Sequence, residues 1–369
     1  MIHLDHAATS FPKPPAVLAA VQRWFTDVGV SADRGDGARC LAARREVDAT
    51  RRAVGALCGV PGERVAFVSG ATEGLNLALR ALLGRGDGVL TTAFEHSSVV
   101  RPLLALAAER DLQIEVLPPD PDGGLSVDTV TAALQRLRPR LFVFSHASNV
   151  TGAAFDAAAF CERSRAASVR TLVDASQTAG LLDLAVGADV LVASGHKALH
   201  GPPGIGFVAA ADDVALAPQK QGGTGSSRAL DRHPTEWPVA FEAGTPNTPA
   251  IFGLGAALAW LRAAMPATLL ARALEHTDAL AEGLLQKPGV KLLQPPAGPR
   301  VPVLSFVHDA LDPSELGALF AAADVQVRSG FHCAPWLHAH LGTATAGTVR
   351  LSPGADLTAA ERDHALAAF

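Results

Sequence analysis

One of the few lysines in this chain directly follows an apolar segment, in a position that suits carbonyl chemistry. The lysines are Lys13, Lys197, Lys220, Lys287 and Lys291, and Lys197 lies in the motif Ser194-Gly195-His196-Lys197. A lysine forms a Schiff base only after its amine loses a proton, and a partly buried site at the end of a strand lowers the pKa of the amine toward neutrality. Lys197 is therefore a candidate Schiff-base lysine, and a surface lysine on a turn is the alternative interpretation.

Two other titratable residues also follow apolar segments. Asp174 ends the segment 171–173 and could keep the nitrogen of a pyridine ring protonated, which would strengthen an electron sink. His96 could stack on a planar ring and could move protons near neutral pH. Each residue has a structural alternative, Asp174 as the N-cap of a helix and His96 as a capping or core histidine.

The segment Gly70-Ala71-Thr72 suits the binding of a phosphate group. It is predicted to join a strand to a helix, where glycine allows close approach, the first helical amides are free, and threonine adds a hydroxyl. The segment lacks the glycine spacing of a dinucleotide-binding fold and the Gly-Lys-Ser/Thr ending of a nucleotide P-loop. We therefore predict a single phosphate at this segment.

Cys333 is the cysteine whose neighbours favour a reactive thiolate. The nearby Arg328 and His332 would stabilise the thiolate, while a buried, unreactive cysteine is the usual alternative. His338 and His340 could form a metal site with Cys333, but no fourth ligand has a suitable spacing, so no metal site is predicted. The other cysteines fall in or beside helical patterns and are predicted to be structural: Cys40, Cys58 and Cys161.

Short apolar segments alternate with longer Ala- and Leu-rich segments from about residue 64 onward, as they do in parallel βαβ units. Between predicted helices, the pattern places strands at residues 64–69, 88–93, 113–117, 141–145, 171–173, 189–193 and 205–209. Ligands of open α/β sheets bind beyond the carboxyl ends of the strands. Five polar candidates have such positions: Thr72, His96, Asn149, Asp174 and Lys197.

The predicted fold class is α/β, with a mostly parallel sheet between layers of helices and a smaller α+β unit at the C-terminal end. A chain of 369 residues exceeds a typical single domain. We predict an N-terminal arm over residues 1–15 near the active site and a large domain over residues 16–250. The small domain is predicted over residues 251–369, with the Cys333 loop and strands near residues 302–307, 324–328 and 348–351.

The composition argues against several classes of partner. The net charge is −5 and the sequence pI is near 6.2, so no basic face for nucleic acid is expected. Residues 1–10 lack the features of a signal peptide, and no uninterrupted apolar stretch reaches the roughly 20 residues that span a bilayer. We therefore expect a cytoplasmic protein without nucleic-acid or membrane partners.

Seven ordered motifs, spread over most of the chain, resemble the class V aminotransferase family and specifically its cysteine desulfurase branch. They are Leu4-Asp5-His6-Ala7-Ala8-Thr9, Ala71-Thr72-Glu73-Gly74, Glu95-His96, Ser148-Asn149-Val150-Thr151-Gly152, Asp174-Ala175-Ser176-Gln177, Ser194-Gly195-His196-Lys197 and Ala243-Gly244-Thr245-Pro246-Asn247. The stretch from Cys333 to Arg350 adds the cysteine and the arginine of the desulfurases. The resemblance implies fold type I of the transferases that depend on pyridoxal 5′-phosphate (PLP), with PLP as the cofactor.

The resemblance also implies which residues hold the cofactor. The set is Ala71, Thr72, His96, Asn149, Asp174, Gln177, Ser194, His196, Lys197 and Thr245. In this set Lys197 would form the Schiff base, Asp174 would pair with the pyridine nitrogen, and Gln177 would reach the phenolic oxygen. His96 would stack on the ring. Thr245 would reach the phosphate of the neighbouring subunit, which implies a homodimer.

By the same resemblance the substrate is L-cysteine and the product is alanine. The implied substrate-binding residues are His6, Ala7, Asn149, Arg328 and Arg350. Arg350 would grip the carboxylate as a bidentate fork. The implied catalytic residues are Lys197, which removes the Cα proton, Cys333, which takes the sulfur as a persulfide, and His96, an acid or base. The short interval from Cys333 to Arg350 resembles a subgroup that often needs a sulfur-acceptor protein.

The chain departs from the usual family pattern at three places. His6, at the substrate end of the site, replaces the usual asparagine, residues 30–40 lack the usual histidine, and residues 351–356 lack the usual aromatic residue and asparagine. These departures leave open another activity on PLP, namely an aminotransferase, a selenocysteine lyase or a C–S lyase that releases sulfide. A weakly active, PLP-binding scaffold of a sulfur relay is a further alternative. The presence of Lys197, Cys333 and Arg350 together favours an enzyme.

Overall fold

The computed structural model describes residues 1–32, 35, 37–225, 231–293 and 298–368. In these ranges the strands, numbered in chain order, are β1 (Ile2–His3), β2 (Val65–Val68), β3 (Gly88–Thr92), β4 (Gln113–Leu117), β5 (Leu141–Ser145), β6 (Arg170–Asp174), β7 (Val190–Ser194), β8 (Gly206–Ala210), β9 (Val290–Leu293), β10 (Leu304–His308), β11 (Val325–Gln326), β12 (Arg328–Gly330) and β13 (Thr348–Leu351).

The α-helices of the same ranges are α1 (Pro15–Arg23), α2 (Ala38–Cys58), α3 (Ala71–Leu82), α4 (Ser97–Arg110), α5 (Val127–Leu137), α6 (Ala157–Ala166), α7 (Thr248–Ala264), α8 (Pro266–Leu285), α9 (Pro313–Ala322), α10 (Pro335–His340) and α11 (Ala359–Leu366). A π-helical turn follows α1 at Trp24–Val28, and a 3₁₀ turn precedes β2 at Gly62–Arg64. Among the described helices, none by itself is long and apolar enough to cross a membrane, and only α7 and α8 taken together, bent by 78° at their junction, pass that test.

Seven strands form the central sheet, in the order β2-β8-β7-β6-β5-β3-β4. Strand β8 pairs antiparallel with β2 and with β7, and the other pairs are parallel. All strands of this sheet except β8 therefore direct their carboxyl ends to the same edge. That edge is where an open α/β sheet binds its ligands.

Alternate side chains of the central strands enter separate apolar cores on the two faces of the sheet. Along β5, Phe142 and Phe144 belong to one core, whereas Leu141 and Val143 belong to the other. The first core includes side chains of α2, α6 and α7, and the second includes side chains of α3 and α4. The predicted α/β class, with a mostly parallel sheet between helices, is therefore confirmed.

A second, antiparallel sheet has the order β12-β13-β10-β9. Its apolar core contains Leu280 of α8, Phe306 of β10 and Phe320 of α9, together with Leu4 from the N-terminal segment. Strand β1 pairs with β11, and Asp5 forms a bridge with Ser352. The N-terminal segment therefore runs along the smaller α+β unit before it reaches the central sheet.

The strand patterns predict most bounds well, but they miss β1 and β9 and merge two strands into one. The strands predicted at residues 113–117 and 141–145 have those bounds. The single strand predicted at residues 324–328 is wrong, because β11 pairs with β1 while β12 pairs with β13. Helix α7 packs on α1 and α2 and contributes to the first core of the central sheet. The domain bounds at residues 15 and 250 stay a prediction.

Candidate active site

A cavity of about 220 Å³ opens beyond the carboxyl ends of the central strands. It brings together most of the predicted site residues, namely Ala7, Ala71, Thr72, His96, Asn149, Asp174, Gln177, Ser194, His196, Lys197, Arg328 and Arg350. His6 and Thr245 are not part of its lining, and neither is Cys333, although its neighbour His332 is. We call this space the strand-end cavity.

Lys197 lies three residues after the end of β7 and is partly buried. Burial lowers the pKa of its amine, and the nearby Asp174 carboxylate opposes that effect only in part. The pKa of Arg350 is also lowered by burial, and its charge further disfavours a second cation at Lys197. The site therefore favours the uncharged amine, which is the nucleophilic form.

The N-terminal segment holds the backbone on both sides of the Lys197 amide. The carbonyl of His196 accepts hydrogen bonds from the Ser10 amide at 3.1 Å and from Lys13 Nζ at 2.6 Å, and Thr9 Oγ1 lies 3.1 Å from it. The carbonyl of Lys197 accepts from Ser10 Oγ at 2.9 Å. Burial lowers the pKa of Lys13 to about 8. A partly buried cation thus fixes the peptide that carries the candidate Schiff-base lysine.

Asp174 ends β6 next to a buried acidic residue on another segment. Asp174 Oδ1 accepts a hydrogen bond from the Ser176 amide at 2.9 Å. Glu95 is completely buried and accepts from Thr92 Oγ1, from the Ser145 amide at 3.0 Å and from Ser145 Oγ at 2.9 Å. Burial and, to a smaller extent, the charge of Asp174 raise the pKa of Glu95 to about 8, although the hydrogen bonds from Thr92 and Ser145 oppose this rise. Glu95 therefore anchors Ser145, which pairs in register with Asp174.

The imidazole of His96 has a defined tautomer. The Ser98 amide donates to His96 Nδ1 at 3.0 Å, so the proton of the neutral ring is on Nε2. Burial and the charge of Lys197 lower the pKa of His96 to about 4. Ser98 Oγ also contacts Thr72 Oγ1 at 2.8 Å. His96 is therefore the N-cap of α4, as the capping interpretation predicts, and it also presents a neutral ring to the strand-end cavity.

Helix α3 begins beside the start of α4, and its first residues, Ala71 and Thr72, line the strand-end cavity. The Ala71 amide donates to Ser194 Oγ at 3.2 Å, and Thr72 adds its hydroxyl. A Cβ on Gly206 would lie 2.8 Å from the Cα of Gly70, so only glycine lets β8 pass the start of α3 this closely. A helix N-terminus with a nearby hydroxyl binds anions well. The predicted single-phosphate segment therefore has suitable geometry.

Arg350 is buried and bound to the protein at both of its terminal nitrogens. Nη2 forms an ion pair with Asp5 at 2.7 Å, and Nη1 donates to the carbonyl of Asn149 at 3.0 Å. Its Nε is buried and has no hydrogen-bond partner among the described residues. The guanidinium has five N–H groups and the contacts with Asp5 and Asn149 use two of them, so the predicted substrate-binding arginine, which lines the strand-end cavity, keeps donors for a ligand.

Cys333 lies in the turn between β12 and α10, and its backbone is tied to the cavity. The Ser97 amide donates to the Cys333 carbonyl at 2.6 Å, and Asn149 Nδ2 donates to the His332 carbonyl at 2.5 Å. Both His332 and Cys333 have left-handed backbones, with φ of 47° and 59°. Arg328 Nη2 lies 3.7 Å from Cys333 Sγ. This distance suits a weak charge-assisted contact with the sulfur.

The other cysteines lie in less reactive surroundings. Cys58 and Cys161 are buried, and burial raises the pKa of both thiols, that of Cys161 to about 12. Cys40 is only partly buried and belongs to α2. In the described ranges, no group of three or more His, Cys, Asp or Glu side chains could hold a metal ion.

Comparison with known proteins identifies the family. The family model described as Aminotransferase class-V matches residues 2–364. The chain belongs to this family. The cysteine desulfurase of Klebsiella pneumoniae (strain 342) is 32% identical over 357 residues, which cover 90% of this chain and 84% of that protein. The probable cysteine desulfurase of Pseudomonas aeruginosa is 33% identical over 367 residues, with coverages of 96% and 89%.

Solved structures of two cysteine desulfurases confirm the predicted fold. An apo cysteine desulfurase from Thermococcus onnurineus superposes with a TM-score of 0.92 at 28% identity, covering 99% of this chain and 93% of that chain. The cysteine desulfurase CsdA from Escherichia coli has a TM-score of 0.88 at 27% identity, with the same coverages. The class V chain described above therefore has the fold type I architecture that its motifs predict.

Several residues of this class V site are not predicted from the sequence, among them Asp5, Lys13, Glu95, Ser98 and Ser176. Asp5 and Glu95 lie inside recognised motifs, next to His6 and His96, and that adjacency is the signal that could have found them. Lys13 and Ser98 act through contacts with distant or backbone atoms, for which the sequence has no signal. His6, predicted to bind substrate, instead lies on the wall of a second cavity.

Proposed function

We propose that this class V protein is a PLP-dependent cysteine desulfurase that converts L-cysteine to L-alanine and passes the sulfur through Cys333 to an acceptor. One observation supports this proposal most strongly. The strand-end cavity joins a lysine with a lowered pKa, a strand-end aspartate and an arginine with a free donor, and the Cys333 backbone is bound to its wall. The relatives named above as cysteine desulfurases support the same activity.

The residues of this cavity suit PLP. The first amides of α3, with Thr72 and Ser194, would hold the phosphate, Asp174 would face the pyridine nitrogen, and Lys197 would hold the aldehyde carbon covalently. Ser176 Oγ is buried without a partner among the described residues and is free to donate to such a group. When bound, PLP withdraws electrons from Cα of an amino acid, which makes the Cα proton acidic and the Cβ–S bond labile.

Arg350 would bind the carboxylate of L-cysteine through the N–H groups of its guanidinium that Asp5 and Asn149 leave free. Its two terminal nitrogens already contact Asp5 and Asn149, so the guanidinium is held in place before the substrate arrives. Such preorganisation lowers the cost of orienting the substrate. Arg328, at the same wall, adds a positive charge near both the carboxylate and Cys333.

Lys197 would move a proton at Cα, and Cys333 would take the sulfur. The Cys333 thiolate forms an S–S bond with the substrate sulfur while the Cβ–S bond breaks, and the bonding electron pair stays on the carbon skeleton. Protons delivered to that skeleton give the methyl group of alanine. Lys197 would return the proton that it took from Cα, and the neutral His96 would orient the reacting groups through a hydrogen bond from Nε2–H. The persulfide then passes its outer sulfur to an acceptor thiol.

Intact mass measures this chemistry directly. After incubation of the PLP-loaded protein with L-cysteine, we expect wild type to gain the mass of one sulfur atom and to release alanine. Cys333→Ala is expected to do neither, because its loop carries no other thiol. The matched control is Cys40→Ala, which removes another partly buried thiol and should behave like wild type.

Other outcomes identify the alternative activities. Transfer of the L-cysteine amino group to an added 2-oxo acid by Cys333→Ala, with 3-mercaptopyruvate as the other product, would indicate an aminotransferase. Free sulfide without a protein-bound sulfur would indicate a C–S lyase. Faster turnover of L-selenocysteine than of L-cysteine, independent of Cys333, would indicate a selenocysteine lyase. PLP binding with no product from any of these amino acids would indicate that the protein is a PLP-binding scaffold of a sulfur relay.

Lys13→Met is expected to slow the covalent binding of PLP to the apo-protein by about tenfold, because the His196 carbonyl loses its charged donor and Lys197 is held less firmly. Stopped-flow absorbance of the bound cofactor measures this rate. Lys13→Arg should recover part of it, since a cationic donor remains. Lys291→Met removes an exposed, ion-paired lysine and should bind PLP at the wild-type rate.

We also propose a homodimer in which Thr245 reaches the neighbouring site. Thr245 precedes α7 and is exposed, and it lies outside the strand-end cavity of its own chain. An exposed position suits a residue that acts across an interface. If the proposal holds, Thr245→Ala weakens PLP binding without changing the dimer mass measured by light scattering.

A further inference from the structure

A second, larger cavity lies behind the N-terminal segment, and the proposed desulfurase reaction does not use it. Its volume is about 390 Å³, within the range of about 300–1,000 Å³ typical of small-molecule sites. It is bounded by the N-terminal segment, by α7 and α8, and by the loop that follows β13. Ala7 and Gln177 form the wall between this space, which we call the arm cavity, and the strand-end cavity.

Most of the arm cavity wall is apolar. Trp260 and Leu269 contribute from α7 and α8, and Leu181, Val301 and Val303 close the opposite side. The ring of Trp260 lies 4.8 Å from that of His200. An apolar wall with an indole suits a ligand whose body is an aromatic ring or a branched hydrocarbon.

The imidazoles of His6 and His200 both line the arm cavity, and they make no hydrogen bond to each other. His200 Nδ1 is buried and has no hydrogen-bond partner among the described residues, and the ring of His6 makes no hydrogen bond to any of them. Gly354 leaves room for that ring, because a Cβ there would lie 2.7 Å from His6 Nε2. Burial lowers the pKa of His6 to about 3 and that of His200 to about 4. Both rings are therefore neutral at pH 7 and can each donate one N–H.

The charges around the arm cavity favour an anion. Lys13 and Arg272 are its cationic lining residues, and Asp356 is its acidic one. Arg272 is exposed at the rim and makes no hydrogen bond or ion pair with a described residue. Lys13 already donates hydrogen bonds to Ser10 and to the His196 carbonyl. Its positive charge would therefore attract an anion without a direct hydrogen bond. The lining residues thus leave one excess positive charge.

From these observations we propose that the arm cavity is a binding site for a small organic monoanion, with a carboxylate head near Arg272 and the two imidazoles and an apolar body against Trp260 and Leu269. The site is separate from the proposed PLP site and does not depend on the sulfur chemistry. Its failure and the failure of the proposed function are therefore measured independently.

Isothermal titration of the PLP-loaded protein with 3-phenylpropionate tests the proposal. We expect one site per chain with a dissociation constant on the order of 1 mM, and about tenfold weaker binding of the neutral 3-phenylpropionamide. Ala355→Trp, which fills the cavity, should abolish binding. Arg272→Gln should weaken it about threefold or more, while the matched control Arg262→Gln, an exposed arginine of α7 outside the cavity, should bind like wild type.

Four results would overturn the proposal. Equal affinity for the acid and the amide would show that the site does not prefer an anion. Undiminished binding to a folded Ala355→Trp would show that the ligand does not bind in the arm cavity. Binding to apo-protein that PLP abolishes would place the ligand in the strand-end cavity instead. If Ala355→Trp loses its cooperative thermal transition, it is not folded, and the affinity of Arg272→Gln is used instead. Wild-type affinity in Arg272→Gln would also overturn the proposal.

Discussion

Lys197→Ala is expected to abolish covalent PLP binding and to lower the rate of alanine formation from L-cysteine by about 10³-fold or more. Lys197 has two tasks in the proposed reaction, since it holds the cofactor and moves the Cα proton. The environment favours the uncharged amine that both tasks need, because burial and the Arg350 charge lower its pKa. Borohydride reduction followed by peptide mass spectrometry locates the modified lysine, and steady-state assay gives the rate.

The control for this variant is another lysine of the same chain. Lys291→Ala removes an exposed lysine paired with Asp309 and should keep both the modified peptide and the rate. Added methylamine should partly restore turnover to Lys197→Ala if the missing group is a base. A reduced, PLP-labelled peptide that contains Lys13 or Lys220 in place of Lys197 would refute the assignment.

Arg350→Met is expected to destabilise the protein by about 3–5 kcal/mol, in addition to its loss of substrate binding. The variant leaves the carboxylate of Asp5 without its cation, and the two side chains of this pair are only 2% and 12% exposed. Breaking one half of a buried ion pair costs more than removing both halves. Urea denaturation measured at pH 7 gives the free energy of unfolding.

The double variant separates the structural effect from the catalytic one. Asp5→Asn/Arg350→Met should recover a large part of the lost stability, yet it should remain unable to use L-cysteine. Arg362→Met is the control, because Arg362 contacts its neighbour Asp363 at the surface and its loss should change stability by less than about 1 kcal/mol. A single variant as stable as wild type would show that Asp5 does not depend on Arg350.

The central sheet is predictable because its strands are buried on both faces. The first four residues of β5, 141–144, are an uninterrupted apolar run, and α4 begins at the residue after His96, so both elements follow from the local pattern. The strand-end location of Thr72, Asp174 and Lys197 then follows from the topology of parallel strands. Local pattern and topology are therefore sufficient to place these three residues in one cavity.

Contacts between distant segments are what the sequence pattern does not contain. Asp5 and Arg350 are 345 positions apart, and neither local charge spacing nor periodicity links them. The break between β11 and β12 depends on which sheet each half joins, which is decided by tertiary pairing. The position of the His6 ring also depends on tertiary structure, because the ring lies near Gly354 and lines the arm cavity. The position of His6 in its motif does not predict which side of the backbone the ring occupies.

The two left-handed residues at His332 and Cys333 limit how far a sulfur atom can travel. Their carbonyls are bound by Asn149 and Ser97, so the chain around Cys333 has little freedom to swing outward. Rotation about the cysteine side chain alone moves an attached sulfur by only a few ångströms. Cys333 would therefore donate the sulfur from a fixed position, and the thiol of the acceptor would have to approach it. A thiol at the tip of a protruding loop could collect the sulfur, whereas one recessed in its own protein could not.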